Sequence, residues 1–291
     1  MTVPPPPASP ASLPPAPSSP PSPSAPSSPS GPAVPPEDGP AWVVPALRRA
    51  GCVFAEDEAR VLLASARDPA ELTTVVARRA AGLPLEHVVG WAEFCGLRVA
   101  VDPGVFVPRR RTEFLARQAR ALTPPDAVVV DLCCGSGAVA AVLAERRPAL
   151  LHAADLDPAA VRCARRTLSP LGGEVHEGDL YDPLPAALAG RVDILVANGP
   201  YVPTGDVPLL PPEARDHERR MALDGGADGL DVLRRVAAGA PHWLAPGGLL
   251  FVETGDHQAA AAQAAVRAAG LRPRVARDDD LHATVLIAAR P

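Results

Sequence analysis

The chain contains no lysine, and all 28 of its basic side chains are arginine. A phosphate-binding P-loop lysine and Schiff-base chemistry are thereby excluded. No Cys-x-x-Cys pair occurs among Cys52, Cys95, Cys133, Cys134 and Cys163, which reads as buried thiols in a reducing compartment rather than a metal centre. None of the seven histidines falls in a motif, so the sequence nominates no catalytic acid or base and no metal ligand. An apolar run long enough to span a bilayer is missing, as are the basic start and apolar core of a secretory leader. The expectation is a soluble, cytoplasmic protein with no membrane partner. A formal net charge of -5 offers no overall footprint for nucleic acid. No stable nucleic-acid binding is expected, although Arg109, Arg110 and Arg111 form a local basic run.

What is present is enough apolar material, 47% of 291 residues, to bury a full core in one or two domains. Most of the excess among the 38 prolines lies in Thr2–Pro40, a Pro-, Ser- and Ala-rich tract without charge before Glu37. It has too little apolar surface to offset the entropy of ordering, so 1–40 reads as a disordered tail with polyproline II preference. Residues 41–83 read as a small helical domain. Three-and-four apolar spacing marks helices near Trp42–Ala50 and Glu56–Ala66, and a third, Leu72–Ala81, follows a capping Asp68 and Pro69 and stops at Gly82. Alternating β-branched residues, with Gly90, Gly96 and Asp102-Pro103-Gly104 as turn signals, make 84–108 a β-hairpin linker. Thr112 is the expected cap of the helix Phe114–Leu122, near the start of a main domain over 109–291.

In that domain apolar runs recur at strand length. Ala127–Leu132 reads as a buried parallel strand. It leads into Cys133-Cys134-Gly135-Ser136-Gly137, whose glycines let the backbone approach a ligand before a helix begins. A second strand, Leu150–Ala154, ends at Asp155, about twenty residues after the loop, the distance at which an acidic group accepts hydrogen bonds from ribose hydroxyls. A third ends at Gly178-Asp179-Leu180, and the fourth, from Val192, ends at Asn198-Gly199-Pro200-Tyr201. Ligands of an open α/β sheet sit beyond the carboxyl ends of its strands, so these positions describe a nucleoside laid across a parallel sheet. Gly-Ser-Gly-Ala-Val-Ala also fits the dinucleotide pattern, which keeps NAD beside S-adenosylmethionine until the fourth strand is weighed. Hydride transfer has no obvious need of Asn-x-Pro-Tyr there, whereas methyl transfer to a planar NH2 group does.

L-P-L-E-H-V-V-G from Leu83, F-C-G-L-R-V from Phe94, V-P-R-R-R-T-E from Val107, D-L-C-C-G-S-G-A-V-A from Asp131, the tetrad at Asn198, A-L-D-G-G-A-D-G-L-D from Ala222 and P-G-G-L-L-F-V-E-T-G from Pro246 resemble, in family order, the protein-glutamine N5-methyltransferases of HemK/PrmC type. The resemblance implies a helical N-terminal domain joined by a β-hairpin to a class I, Rossmann-like α/β methyltransferase domain with a mostly parallel seven-stranded sheet that binds S-adenosylmethionine. It implies that the loop Cys133, Cys134, Gly135, Ser136, Gly137 holds the cofactor, with Asp155 on the ribose, Asp179 and Leu180 beside the adenine, and Asn198 near the methyl donor. It further implies a protein substrate, a peptide-chain release factor with its Gly-Gly-Gln glutamine or a ribosomal protein. Three positions depart from the family pattern, and the N-terminal helical domain is shorter than the family norm. Cys133 stands where the first loop glycine is usual, Cys134 follows it at the second loop position, and Gly199 replaces the first tetrad proline, keeping its carbonyl without a fixed φ.

The chemistry follows from the residues. An amide nitrogen is a poor nucleophile because its lone pair is delocalised into the carbonyl. Asn198 Oδ1 and the Gly199 carbonyl are adjacent acceptors for its two N–H groups and stabilise the positive charge that develops on it. Pro200 stiffens the turn, Tyr201 can stack on the amide, and alignment supplies much of the remaining acceleration. Adenine N6 and guanine N2 are also conjugated NH2 groups, so a nucleic-acid methyltransferase is the alternative. A catalytically silent binding module, supported by Cys133, Cys134 and Gly199, is a third reading. Proline at 199 is expected to leave activity level or raise it by fixing φ, and the excursion Val202–Gly229 to wall the acceptor pocket.

Overall fold

The computed structural model describes residues 40–291; residues 1–39 of the tract expected to be disordered lie outside the described residues. Three helices open the described chain: α1 (Val43–Arg49), α2 (Ala55–Ser65) and α3 (Pro69–Ala80). Their apolar stripes converge in a core of their own around Val43, Leu47, Leu62, Leu72 and Val76. Asp68 caps α3 by accepting the Glu71 N–H at 2.8 Å, Pro69 opens its first turn, and Gly82, at φ +95°, follows its end.

The linker differs from its expected form. Leu85–Val89 is a short helix, α4, closed by left-handed Gly90, and the hairpin is confined to β1 (Trp91–Phe94) and β2 (Leu97–Ala100). Leu85, Val88 and Val89 carry helical spacing and pack on the N-terminal core. Five residues are too few for periodicity to separate helix from strand. His87 faces the other way, buried, with Nε2 2.8 Å from the Val105 carbonyl. A second expectation also changes: α5 (Thr112–Leu122) contains Thr112 as its first residue, with Arg111 at the cap position and no side-chain capping bond.

Seven strands form the main sheet: β3 (Val128–Leu132), β4 (Leu150–Asp155), β5 (Glu174–Glu177), β6 (Val192–Ala197), β7 (Leu244–Thr254), β8 (Arg272–Asp278) and β9 (Ala283–Ala289). Their order is β5-β4-β3-β6-β7-β9-β8. Pairing is parallel from β5 through β7, and β9 runs antiparallel between β7 and β8. Four helices complete the domain: α6 (Ala138–Ala144), α7 (Pro158–Leu168), α9 (Asp231–Trp243) and α10 (Ala259–Ala268), with the short α8 (Pro212–His217) in the excursion after β6. One core unites α5, α6 and α7 with Val129, Ile194 and Phe251, and the other unites α9 and α10 with Val130, Leu195 and Leu250. Helices therefore cover both faces, which is why the central strands read as nearly unbroken apolar runs. Strand order reverses between β3 and β6, where a crevice opens at their carboxyl ends. Among the described residues no helix is long and apolar enough to cross a membrane.

The N-terminal helices are tied to the sheet domain by a buried arginine. Arg79 donates to both oxygens of Glu58, at 2.5 and 3.0 Å, and to the Leu83 carbonyl at 3.0 Å, and it also reaches Glu213 of α8 at 2.7 Å. Arg79 and Glu58 are about nine-tenths buried, at 9% and 12% side-chain exposure. Removing the guanidinium strands the Glu58 carboxylate, so Arg79→Ala is expected to cost roughly 3–5 kcal/mol in urea unfolding. A loss below about 1 kcal/mol, the level of a surface pair, would mean the site relaxes freely.

Candidate active site

The chain leaves β3 through a loop that alternates into the left-handed region at Cys133 (φ +54°), Gly135 (φ +55°) and Gly137 (φ +78°). Glycine adopts that region freely, whereas a side chain such as Cys133 bears roughly 1–2 kcal/mol of strain. Asp155, at the end of β4, braces the loop. Its Oδ2 accepts the Gly135 N–H and its Oδ1 the Asp157 N–H, both at 2.8 Å, and each oxygen retains a lone pair. Burial raises the Asp155 pKa against those bonds. Asp131 lies beneath the loop, 1% exposed, with Oδ2 accepting the Ala140 N–H at 3.1 Å. Burial, helped by the charge of Asp155, pushes its carboxyl up to about 7. Beyond β5, Asp179 accepts from Arg235 at 2.7 Å, and Leu180 is buried in a left-handed conformation.

The tetrad after β6 is held from several sides. Asn198 Nδ2 donates to Thr112 Oγ1 at 3.4 Å, which leaves Oδ1 without a hydrogen bond among the described residues. The hydroxyl thought to cap α5 thus orients the amide instead. The Tyr201 hydroxyl donates to Glu253 Oε1 at 2.8 Å, Arg111 Nε donates to the same oxygen at 3.2 Å, and the guanidinium stands 5.5 Å over the Tyr201 ring. Burial first, and then the Glu253 charge, pushes the phenol pKa up. Gln258 Nε2 donates to the Tyr201 and Asp228 carbonyls, each at 2.9 Å. Gly199 lies outside the left-handed region, and a Cβ there would stand 2.9 Å from Val232 Cγ1 and 3.6 Å from Cys133 Sγ. Cys133 and Gly199, two of the departures from the family pattern, are therefore neighbours, with Val232 beside them.

Two clefts meet at the tetrad. The first brings together loop residues 133–136, Asp155, Asp179, Leu180, Asn198 and Pro200. Gly137 sits behind the loop, where a Cβ would stand 3.0 Å from Leu168, and Gly199 and Tyr201 line the second cleft. Phe106, Asn198, Pro200 and Ala222 border both. One wall of the second cleft is Val202, Leu210, Pro211, Glu213, Ala214, Ala222 and Leu223, all from the excursion after the tetrad. Its two arginines are compensated. Arg109 pairs with Glu218 at 2.5 Å and Arg111 with Glu253 at 3.2 Å, both carboxylates about 99% and 98% buried, at 1% and 2% side-chain exposure. The second oxygen of each carboxylate is buried and has no partner among the described residues. Sequence reading missed Asp131, Thr112, Glu218 and Glu253. A lone acid inside a buried apolar run, as in V-V-V-D-L and L-L-F-V-E-T, was the available signal for two of them.

The sheet order, the antiparallel β9 and a cleft at the strand reversal that gathers the glycine loop, Asp155 and Asp179 define a class I S-adenosylmethionine-dependent methyltransferase. The family profile "Methyltransferase small domain" matches residues 96–208. The release factor glutamine methyltransferase of Geobacter sulfurreducens is 42% identical over 198 residues, 66% of this chain and 69% of the relative. The 4-amino-L-phenylalanine/4-methylamino-L-phenylalanine methyltransferase of Streptomyces pristinaespiralis is 40% identical over 205 residues, 67% and 69% of the two chains. A methyltransferase structure from Pyrococcus furiosus shares the fold, with a TM-score of 0.51 at 15% identity over 76% of this chain and 96% of that one. The chain belongs to the release factor glutamine methyltransferase family, of HemK/PrmC type. It is an enzyme whose methyl donor is S-adenosylmethionine.

Two outcomes test the geometry. Proline at 199 would carry a Cβ into Val232, so the gain expected from a fixed φ is overridden. Gly199→Pro should lose about 1–3 kcal/mol, and Val232→Ala in the same chain should recover much of it, a favourable coupling readable in a double-mutant cycle. Additive losses would disprove the contact. For Asp131, the native pKa near 7 exceeds an unfolded value of about 3.9, so the fold holds the proton and loses stability as pH rises from about 4 to about 7. Asp131→Asn lacks that loss. Its melting temperature relative to the parent should climb from pH 5 to pH 8; a pH-independent difference would place the Asp131 pKa in the ordinary range.

Proposed function

We propose that this enzyme transfers the methyl group of S-adenosylmethionine to the side-chain amide nitrogen of a glutamine, presented by a peptide-chain release factor. The observation that carries the reading is the junction of the two clefts at Asn198 and Pro200. A donor in the first cleft and an acceptor in the second would meet at the only tetrad side chain with a free amide oxygen.

The first cleft suits the cofactor by its donor set. Asp155 and Asp179 stand at successive strand ends, Asp155 keeps lone pairs for ribose hydroxyls, and Leu180 offers an apolar surface for a base. S-adenosylmethionine supplies a methyl group on a cationic sulfur that is already an activated leaving group. The protein's part is alignment and charge. Asn198 Oδ1, turned by Thr112, accepts one N–H of the substrate amide, and the Gly199 carbonyl accepts the other. Both would oppose the charge that grows on nitrogen as the S–C bond breaks; S-adenosylhomocysteine leaves neutral, and the methylated amide gives up one proton to water. Tyr201, fixed through Glu253 and Gln258, offers a flat face to the amide.

The second cleft also bears on the acceptor. Its arginines are matched by buried carboxylates, so it lacks the surplus positive charge that phosphate backbones require. That favours a peptide over adenine or guanine in a nucleic acid. The relative named for 4-amino-L-phenylalanine acts on an NH2 group conjugated to a ring, so free amino acids belong among the substrates assayed.

Labelled methyl transfer to a purified release factor, to total RNA and to free 4-amino-L-phenylalanine tests the reading. Label is expected on the release factor alone and lost when its Gly-Gly-Gln glutamine is replaced. Asn198→Ala should lower kcat about a hundredfold to a thousandfold, on the order of 3–4 kcal/mol, with S-adenosylmethionine affinity little changed. Label on RNA or the free amino acid, or full turnover by Asn198→Ala, would overturn it.

A further inference from the structure

One group of side chains outside both clefts has no part in methyl transfer. His152 on β4 lies in register with Glu174 on β5, and Ala154 with His176, so strand alternation places His152, Glu174 and His176 on the same face of the sheet. Their separation of some two dozen positions in sequence, about what one βα unit spans, hides the grouping from any motif search. His152 Nδ1 stands 3.0 Å from His176 Nε2 and 3.8 Å from Glu174 Oε2. The three ligand atoms lie within 4.8 Å of one another. The imidazoles are stacked, with centroids 5.3 Å apart and planes at 23°. A tetrahedral zinc with bonds of about 2.0–2.1 Å holds its ligand atoms roughly 3.3 Å apart, so the two nitrogens already stand close to that spacing.

We propose that His152, His176 and Glu174 form a binding site for a divalent transition-metal ion, of which zinc is the type, with water in the remaining position. Two imidazoles and a carboxylate select zinc, cobalt or nickel over magnesium or calcium, which prefer all-oxygen shells. His152 is buried, His176 half-buried and Glu174 exposed, which gives an ion an anchored inner ligand and an open entry side. Arg165, whose guanidinium donates to the Val175 carbonyl at 3.2 Å, is a competing positive charge beside His176, and Glu174 offsets it. An ion here would clip the edge strand β5 to β4. Because Asp179 follows the end of β5 by two residues, the clip would also steady one end of the cofactor cleft.

The test titrates the full chain, with its thiols kept reduced, using zinc and cobalt chloride separately. Calorimetry is expected to show one equivalent bound, and the melting temperature to rise by roughly 3 °C or more in excess metal. Both responses should vanish in His176→Ala and weaken in Glu174→Gln. His176→Gln, which keeps a hydrogen-bonding side chain beside His152, serves if the alanine variant folds poorly, and retained S-adenosylmethionine binding reports an intact fold. Bound cobalt should give the visible bands of a nitrogen and oxygen shell. Binding unchanged in the His176 variants, a thiolate charge-transfer band, or no response at millimolar metal would each overturn the proposal.

Discussion

The reversal of strand order between β3 and β6 is the constraint on which the rest depends. The two strands are parallel neighbours with Leu132 opposite Ala197, so the next residues, Cys133 and Asn198, leave the sheet side by side while their chains depart in opposite directions. Asp155, Asp179 and Asn198 each lie within two residues of a strand end, as that geometry demands. The close approach of Gly199 to Cys133 also follows from it. Two residues that look like separate departures from a family pattern share one small volume, with Val232 as the third occupant.

Around that crevice the protein spends charge on rigidity. Arg109 with Glu218 and Arg111 with Glu253 each bury a carboxylate almost completely. Such pairs contribute little net stability, since desolvation offsets most of the attraction, but they hold Tyr201 and the segment before α5 in one arrangement. Glu218 keeps a raised pKa through its burial in spite of Arg109 and the Val107 N–H.

Strands β3, β4 and β6 were legible because both faces of the sheet are covered there, whereas β7, β8 and β9 were implied only by the family resemblance. V-V-V-D-L and V-D-I-L-V-A admit few other readings once their length and flanking glycines are considered, and the strand ends then located the loop, Asp155, Asp179 and Asn198. What escaped depends on contacts remote in sequence. Thr112 looks like a helix cap locally, and only the packing of α5 against β7 and β9 brings its hydroxyl to Asn198. Leu85–Val89 was too short for its period to speak. A fixed φ at 199 was a sound local argument, overridden by a methyl group on α9 that no local pattern reveals. Glu253 carries no mark in sequence beyond being an acid in an apolar strand.

The Arg79 contact with Glu213 has a consequence for how such enzymes can be rebuilt. α3 and the wall of the second cleft share one guanidinium, so the N-terminal helices are not an interchangeable module. A chimera that takes those helices from a relative would have to bring an arginine in register with Glu213, or α8 would lose that tie to α3.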